Sequence, residues 1–201
     1  MVMKCTFSSL ADATSDDWHG IMIEQDRMYA ELPGRVIDHL MLLKGDYRSF
    51  PVDLLNHSLQ AATLAYTAGE SEEYVVCTLL HDVGDILGSL NHGELSAKLL
   101  QPFVSDENYW MVKHHGLFQG YYFYHHIGRD RNARDRFINH PHFSRTQSFI
   151  DNYDNLAFSK DREPMPVEFF EPMIKRVFSS PTPEFISRTG RSKHNNPTVE
   201  K

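Results

Sequence analysis

Histidines and aspartates occupy positions in this chain where helical spacing calls for apolar side chains. His57 lies in the string His57-Ser58-Leu59-Gln60, and His81-Asp82 follows directly on Tyr74–Leu80, the most apolar stretch of the sequence. His92 opens a segment with Leu95, Ser96 and Leu99 on its inner side, and His114-His115 precedes Gly116. Asp154 falls in register with Ile150, Tyr153 and Ala157, whereas Asp151 falls beside Gln147 and Asn155. Taken singly, an inward histidine reads as a hydrogen-bonded core residue and an aspartate at a helix end as a cap. Asp82 resists that reading. A carboxylate behind so apolar a stretch must leave water, which is costly without a compensating cation. Between Lys44 and Lys98 the one Lys or Arg is Arg48. A metal ion would satisfy Asp82 directly, and neutral imidazoles would add donors without adding charge. Imidazole and carboxylate donors without thiolate favour Fe, Mn or Zn over a soft metal, with Mg a poorer match.

Such side chains can meet only if separate elements converge, and the pattern is helical throughout. Ser15 and Asp16 can cap a helix to about Glu31, broken by Pro33 and Gly34, with a second helix over 35–44. Pro51 suits the first turn of a third, in which Leu54, His57, Ala61 and Leu64 face inward. Glu70-Ser71-Glu72-Glu73 starts a nearly all-apolar, hence central, helix that ends at Gly84. Further helices are expected over 93–103, 107–115, 144–158 and 166–178. Neither an alternating strand pattern nor a repeat occurs, so the expected fold is all-α: one helical bundle able to gather ligands at its centre. The expected organisation is N-terminal helices over 1–46, a metal-binding core over 47–178, and a loose Pro-, Ser- and Asn-rich tail over 179–201.

Composition removes several alternatives. With 201 residues the chain makes about one domain. Lys plus Arg is 20 and Asp plus Glu 27, a net charge of -7, which argues against a nucleic-acid partner. No apolar run is long enough for a membrane span. Two cysteines, Cys5 and Cys77, exclude a disulfide scaffold and a Cys-rich zinc module. Without a leader of signal-peptide type, the expectation is a cytoplasmic protein. Oligomeric state is left open.

His57, His81-Asp82 and Asp154, in that order, resemble the H…HD…D signature of the HD-domain superfamily of all-α metalloenzymes. His92 and His115 extend the likeness to the six-ligand version with two metals. The resemblance covers about 47–158 and implies that His57, His81 and Asp154 take one metal, His92 and His115 the other, with Asp82 bridging. His57-Ser58-Leu59-Gln60 is similar to the diiron oxygenase branch, which includes myo-inositol oxygenase and bacterial hydroxyphosphonate-cleaving oxygenases. Met111-Val112-Lys113-His114-His115 resembles the fourth-histidine region of that branch and selects His115 over His114. Tyr47, ten residues before His57, matches a tyrosine that approaches one iron before substrate binds. Phe50, Gln119 and Asp85 stand where relatives carry Glu, a phosphonate-binding Lys, and His or Lys, so the phosphonate substrate is not carried over.

The resemblance implies a mixed-valent Fe(II)/Fe(III) pair that uses O2 to cleave a C–C or C–P bond beside a hydroxyl-bearing carbon of a small polar substrate. Tyr47 would guard one iron, Gln60 and Asp85 would orient substrate or water, and Phe50 and Gln119 would border the substrate. The alternative is the wider superfamily's phosphohydrolase activity, with Mn, Zn or Ni as metal. The absence of a P-loop and of an evident Lys/Arg cluster counts against that. A non-catalytic module folded around metal is the third reading, although six ligands exceed a structural site's needs. The run Tyr121–His126 could line a pocket or pack as core, and the mixed charges of 129–136 read as a solvated face.

Overall fold

The computed structural model describes residues 5–190, and these fold as helices without a strand. Eight α-helices follow in order: α1 (Ser15–Met41), α2 (Leu54–Thr67), α3 (Glu72–Leu79), α4 (His92–Leu100), α5 (Asp106–Phe123), α6 (Phe143–Phe149), α7 (Val167–Val177) and α8 (Pro183–Thr189). Side-chain caps set most of the starts. Thr14 and Asp17 form a reciprocal capping box at α1, while Asp53, Ser71, Ser105 and Thr182 accept from backbone N–H groups at α2, α3, α5 and α8.

α3 is the central rod. Tyr74 through Leu79 are all buried, and α3 packs against α2, α5 and α7. Leu40 and Leu43 from the first helix and its exit, Met111 and Phe118 from α5, Phe149 from α6, and Phe170 and Ile174 from α7 complete one continuous core. α4 lies along α5, and α1 rests on α7.

Several boundaries differ from expectation. α1 runs unbroken through Pro33, whose ring is buried with Val36 and Leu40. A proline inside a helix removes one backbone hydrogen bond at about 3 kcal/mol, so packing of this stripe outweighs that loss. Pro51 stands before the Asp53 cap rather than inside α2. α5 continues past Gly116 to Phe123. The expected long helix over 144–158 is the short α6 followed by a π-helical turn, Ile150–Asp154. The stretch expected to be loose from residue 179 carries α8, tied back by the Thr182 N–H to Pro102 O at 2.8 Å and by Arg188 to Asp106 at 3.2 Å. The rest of that expected tail, 191–201, lies outside the described residues. No helix among the described residues is long and apolar enough to cross a membrane.

Candidate metal centre

The regular part of α3 stops at Leu79, and overlapping turns carry the chain through His81, Asp82 and Gly84. Neighbours on a helix diverge by about 100°; the irregular turn lets His81 and Asp82 reach one point. A side chain at Gly84 would sit 2.5 Å from His92 O and 2.8 Å from Leu95 Cβ, so only glycine lets α4 approach this turn. That approach delivers His92 to Asp82. α2 contributes His57, α5 His115, and the π turn Asp154.

All four imidazoles are fixed by the same device. Nδ1 of His57 lies 3.1 Å from Ala157 O, and that of His81 2.7 Å from Thr78 O. For His92 the partner is Ser89 O at 3.1 Å, and for His115 Val112 O at 2.7 Å. A carbonyl only accepts, so each Nδ1 carries hydrogen and donates, and Nε2 of the neutral ring is a bare lone pair. These lone pairs converge. The Nε2 atoms of His57 and His81 are 3.2 Å apart, and those of His92 and His115 are 3.0 Å apart. Facing lone pairs repel unless a cation stands among them.

Asp82 divides its carboxylate between the two pairs. Oδ2 lies 3.2 Å from His81 Nε2 and 3.6 Å from His57 Nε2, whereas Oδ1 lies 3.1 Å from His115 Nε2 and 3.4 Å from His92 Nε2. Asp154 is fully buried, with Oδ1 3.1 Å from His57 Nε2 and Oδ2 without a hydrogen-bond partner. No Lys or Arg pairs with either carboxylate among the described residues. Three groups could hold a metal ion: His57 with His81 and Asp154, His81 with Asp82 and His115, and Asp82 with Asp85 and His92. The orphaned Asp154 oxygen and the opposed imidazoles fit such an ion.

The electrostatics agree. Burial alone would raise the Asp82 carboxyl, yet His81 and His115 hold it well below the usual range. Asp154 is likewise lowered, against burial, by His57, whose Nε2 donates to it once the ring is protonated. Burial opposes charge on His115, but Asp82 and Asp154 push it up to about 9, and Asp154 raises His57 in the same way. The cluster demands positive charge, which protons or metal ions can supply.

Residues 54–156 match the family model of the HD domain, over half of the chain. The chain belongs to the HD-domain family. The match begins at the first residue of α2 and ends just past Asp154, so all six converging side chains of this HD domain lie inside it. A search of the curated proteins gave no match.

The other candidate residues fall into two groups. Gln119 reaches the cluster, its Nε2 donating to Asp154 Oδ1 at 3.2 Å. Phe50 lies at the edge: its ring is 5.2 Å from Phe158, which stacks on His57 at 4.3 Å. Asp85 is 3.8 Å from His92 Nδ1 but is already paired to Arg48 at 2.8 Å. Gln60, expected to orient substrate or water, is instead buried and bonded to Asn56 and to both backbone groups of Ser159. It therefore holds the segment whose Ala157 carbonyl orients His57. Tyr47 is 54% exposed, and its hydroxyl has no hydrogen bond to the cluster. Asp151 accepts from Tyr122 outside the cluster, and His114 stacks on Trp110.

A cleft of about 730 Å³ borders the centre, and His92 and Gln119 belong to both. Lys113, Arg129 and Arg136 also line it. These cations do not stand out in the sequence because they are dispersed along the chain and the 129–136 charges read as a solvated face.

Proposed function

We propose that this HD-domain protein is a non-haem diiron oxygenase, using O2 to cleave a C–C or C–P bond beside a hydroxyl-bearing carbon of a small polar substrate. The observation that carries the reading is the division of Asp82 between two imidazole pairs, which suits two bridged ions rather than one. His57, His81, Asp154 and Asp82 Oδ2 would hold one ion, and His92, His115 and Asp82 Oδ1 the other. Fewer protein donors on the His92 side leave room there for substrate, where the cleft opens. Iron in this all-N/O donor set supplies, when bound, the one-electron chemistry that O2 activation needs. The four Nδ1-to-carbonyl bonds keep Nε2 free of hydrogen and aimed inward. Gln119 steadies Asp154, and Phe158 with Phe50 forms an apolar wall that limits water on the His57 side. The resemblance of His57-Ser58-Leu59-Gln60 to the oxygenase branch supports iron over other metals. Tyr47 would guard the centre by folding inward, a movement its exposed position leaves free. Free thiols at Cys5 and Cys77 and the net charge of -7 suit a cytoplasmic protein acting on a small molecule, with neither nucleic acid nor membrane as partner.

The cationic lining of the cleft favours a second reading, a phosphohydrolase using Mn, Zn or Ni. Anaerobic purification followed by metal analysis, EPR and oxygen uptake over a panel of hydroxylated substrates separates the two. Two irons per chain, a coupled mixed-valent signal and substrate-dependent oxygen consumption are expected. Turnover of a chromogenic phosphate ester without oxygen uptake would overturn the oxygenase reading.

A further inference from the structure

Four arginines lie between residues 129 and 136, and the fold sorts them into two kinds. Arg131 and Arg134 both lie over the Tyr121 ring, at 4.2 and 4.0 Å, and Arg134 is buried with Asp151 4.0 Å away. These two build the wall. Arg129 and Arg136 face the cleft instead. Arg129 lies 5.7 Å from the Tyr124 ring and Arg136 4.8 Å from the Phe137 ring. Neither guanidinium has an ion pair or a side-chain hydrogen bond among the described residues. Lys113, which lines the same cleft, has Glu94 at 4.0 Å as its ion-pair partner among the described residues. Three cations against one carboxylate is a local reversal of the chain's net charge of -7, and concave walls concentrate such a field.

We propose that Arg129 and Arg136, with Lys113, bind an anionic group of the substrate (a phosphorus oxyanion or a carboxylate) at a place separate from the metal-holding residues. The assignment rests on the proposed catalytic use of the HD centre. It deepens that reading by giving the substrate two ends. One end reacts beside His92 and Gln119; the other is gripped in the cleft. An unpaired guanidinium fork offers two parallel N–H donors to an oxyanion. An aromatic ring stands beside each arginine, and a ring contact leaves the N–H donors of a guanidinium without an acceptor. A neutral polyol would leave these three charges unused, so the cleft discriminates against it.

Inorganic phosphate, methylphosphonate and acetate, titrated calorimetrically into the full-length protein as purified with its metal, test the proposal. At least one anion should bind the wild type, and the Arg129→Gln/Arg136→Gln pair should weaken it by about ten-fold or more. Metal content of that variant should stay the same, because neither arginine touches a metal-holding residue. Glu94→Gln, which frees Lys113, should tighten binding several-fold. Methylphosphonate or phosphate exceeding acetate identifies a phosphorus oxyanion, and the reverse identifies a carboxylate. No binding of any of the three, or equal affinity in the double variant, overturns the assignment. Loss of anion binding in the double variant would stand even if the protein consumed no oxygen, so the two readings fail separately.

Discussion

Asp82 and Asp154 are the residues on which the centre depends, and Asp151 is their internal control. On the proposed two-ion reading, Asp82→Ala should lose both metals, since each of its oxygens faces a different imidazole pair. Asp154→Ala should lose metal as well, whereas Asp151→Ala, three residues away but outside the cluster, should retain the wild-type metal content by elemental analysis. Protonation supplies a second prediction. His57 and His115 titrate higher in the folded chain than the ordinary imidazole value of 6.5. Their stabilisation is therefore complete below that value and fades as pH rises toward the about 9 of His115. Asp82 and Asp154 titrate below 3.8, so theirs is present above that value and lost in acid. Chelator-treated protein should thus melt at lower temperature at pH 9 than at pH 6.5. Metal-loaded protein should show the opposite trend, because an ion must displace those protons and binds more tightly as they leave. Melting curves of both forms across this interval check the sign.

At the scale of elements, three local departures from regular helix make the centre. The turn after α3 presents two adjacent residues to one point, Gly84 admits α4, and the π turn after α6 sets Asp154 inward; such π turns are frequent at functional sites. Gln60 and Phe149 hold these departures in place. Phe149 is fully buried and packs edge-on against His81 at 5.3 Å and His115 at 6.5 Å. Phe149→Ala should cost about 3–5 kcal/mol in denaturant unfolding and weaken metal retention, since two imidazoles lose their backing. Gln60→Leu leaves the Ser159 N–H and carbonyl without their partner, at about 1–3 kcal/mol. Its distinguishing effect is weaker metal binding on the His57 side, through Ala157, with the cleft unchanged.

Across the whole molecule, the six converging side chains come from α2, the turn after α3, α4, α5 and the π turn, so a bound metal would tie these elements together. Removing it with a chelator should lower the melting temperature in one cooperative transition, and restoring it should recover the loss; separate transitions for the two halves would count against a shared centre. The segment before α2 stands outside this constraint. Arg48 and Ser49 take positive φ values of 40° and 68°, a costly backbone held by the Arg48–Asp85 ion pair. Tyr47→Phe should leave metal content unchanged, as its hydroxyl anchors nothing in the cluster.

The helical class, the buried α3 and the inward placing of His57 and Asp154 could be read directly, because helical periodicity and apolar runs are local properties of a chain. The want of a Lys or Arg partner for Asp82 was equally legible, since the nearby sequence offers Arg48 alone. Arg48 proved to serve Asp85 instead. Tertiary packing decided what spacing leaves open. It carried α1 through Pro33, shortened the helix before Asp154, turned Gln60 from the substrate toward Ser159, and gathered Lys113, Arg129 and Arg136 around one cleft. The physical reason is that local pattern records which face of an element is buried. The partner of a particular polar atom depends on residues tens of positions away, and only the folded chain brings those within reach.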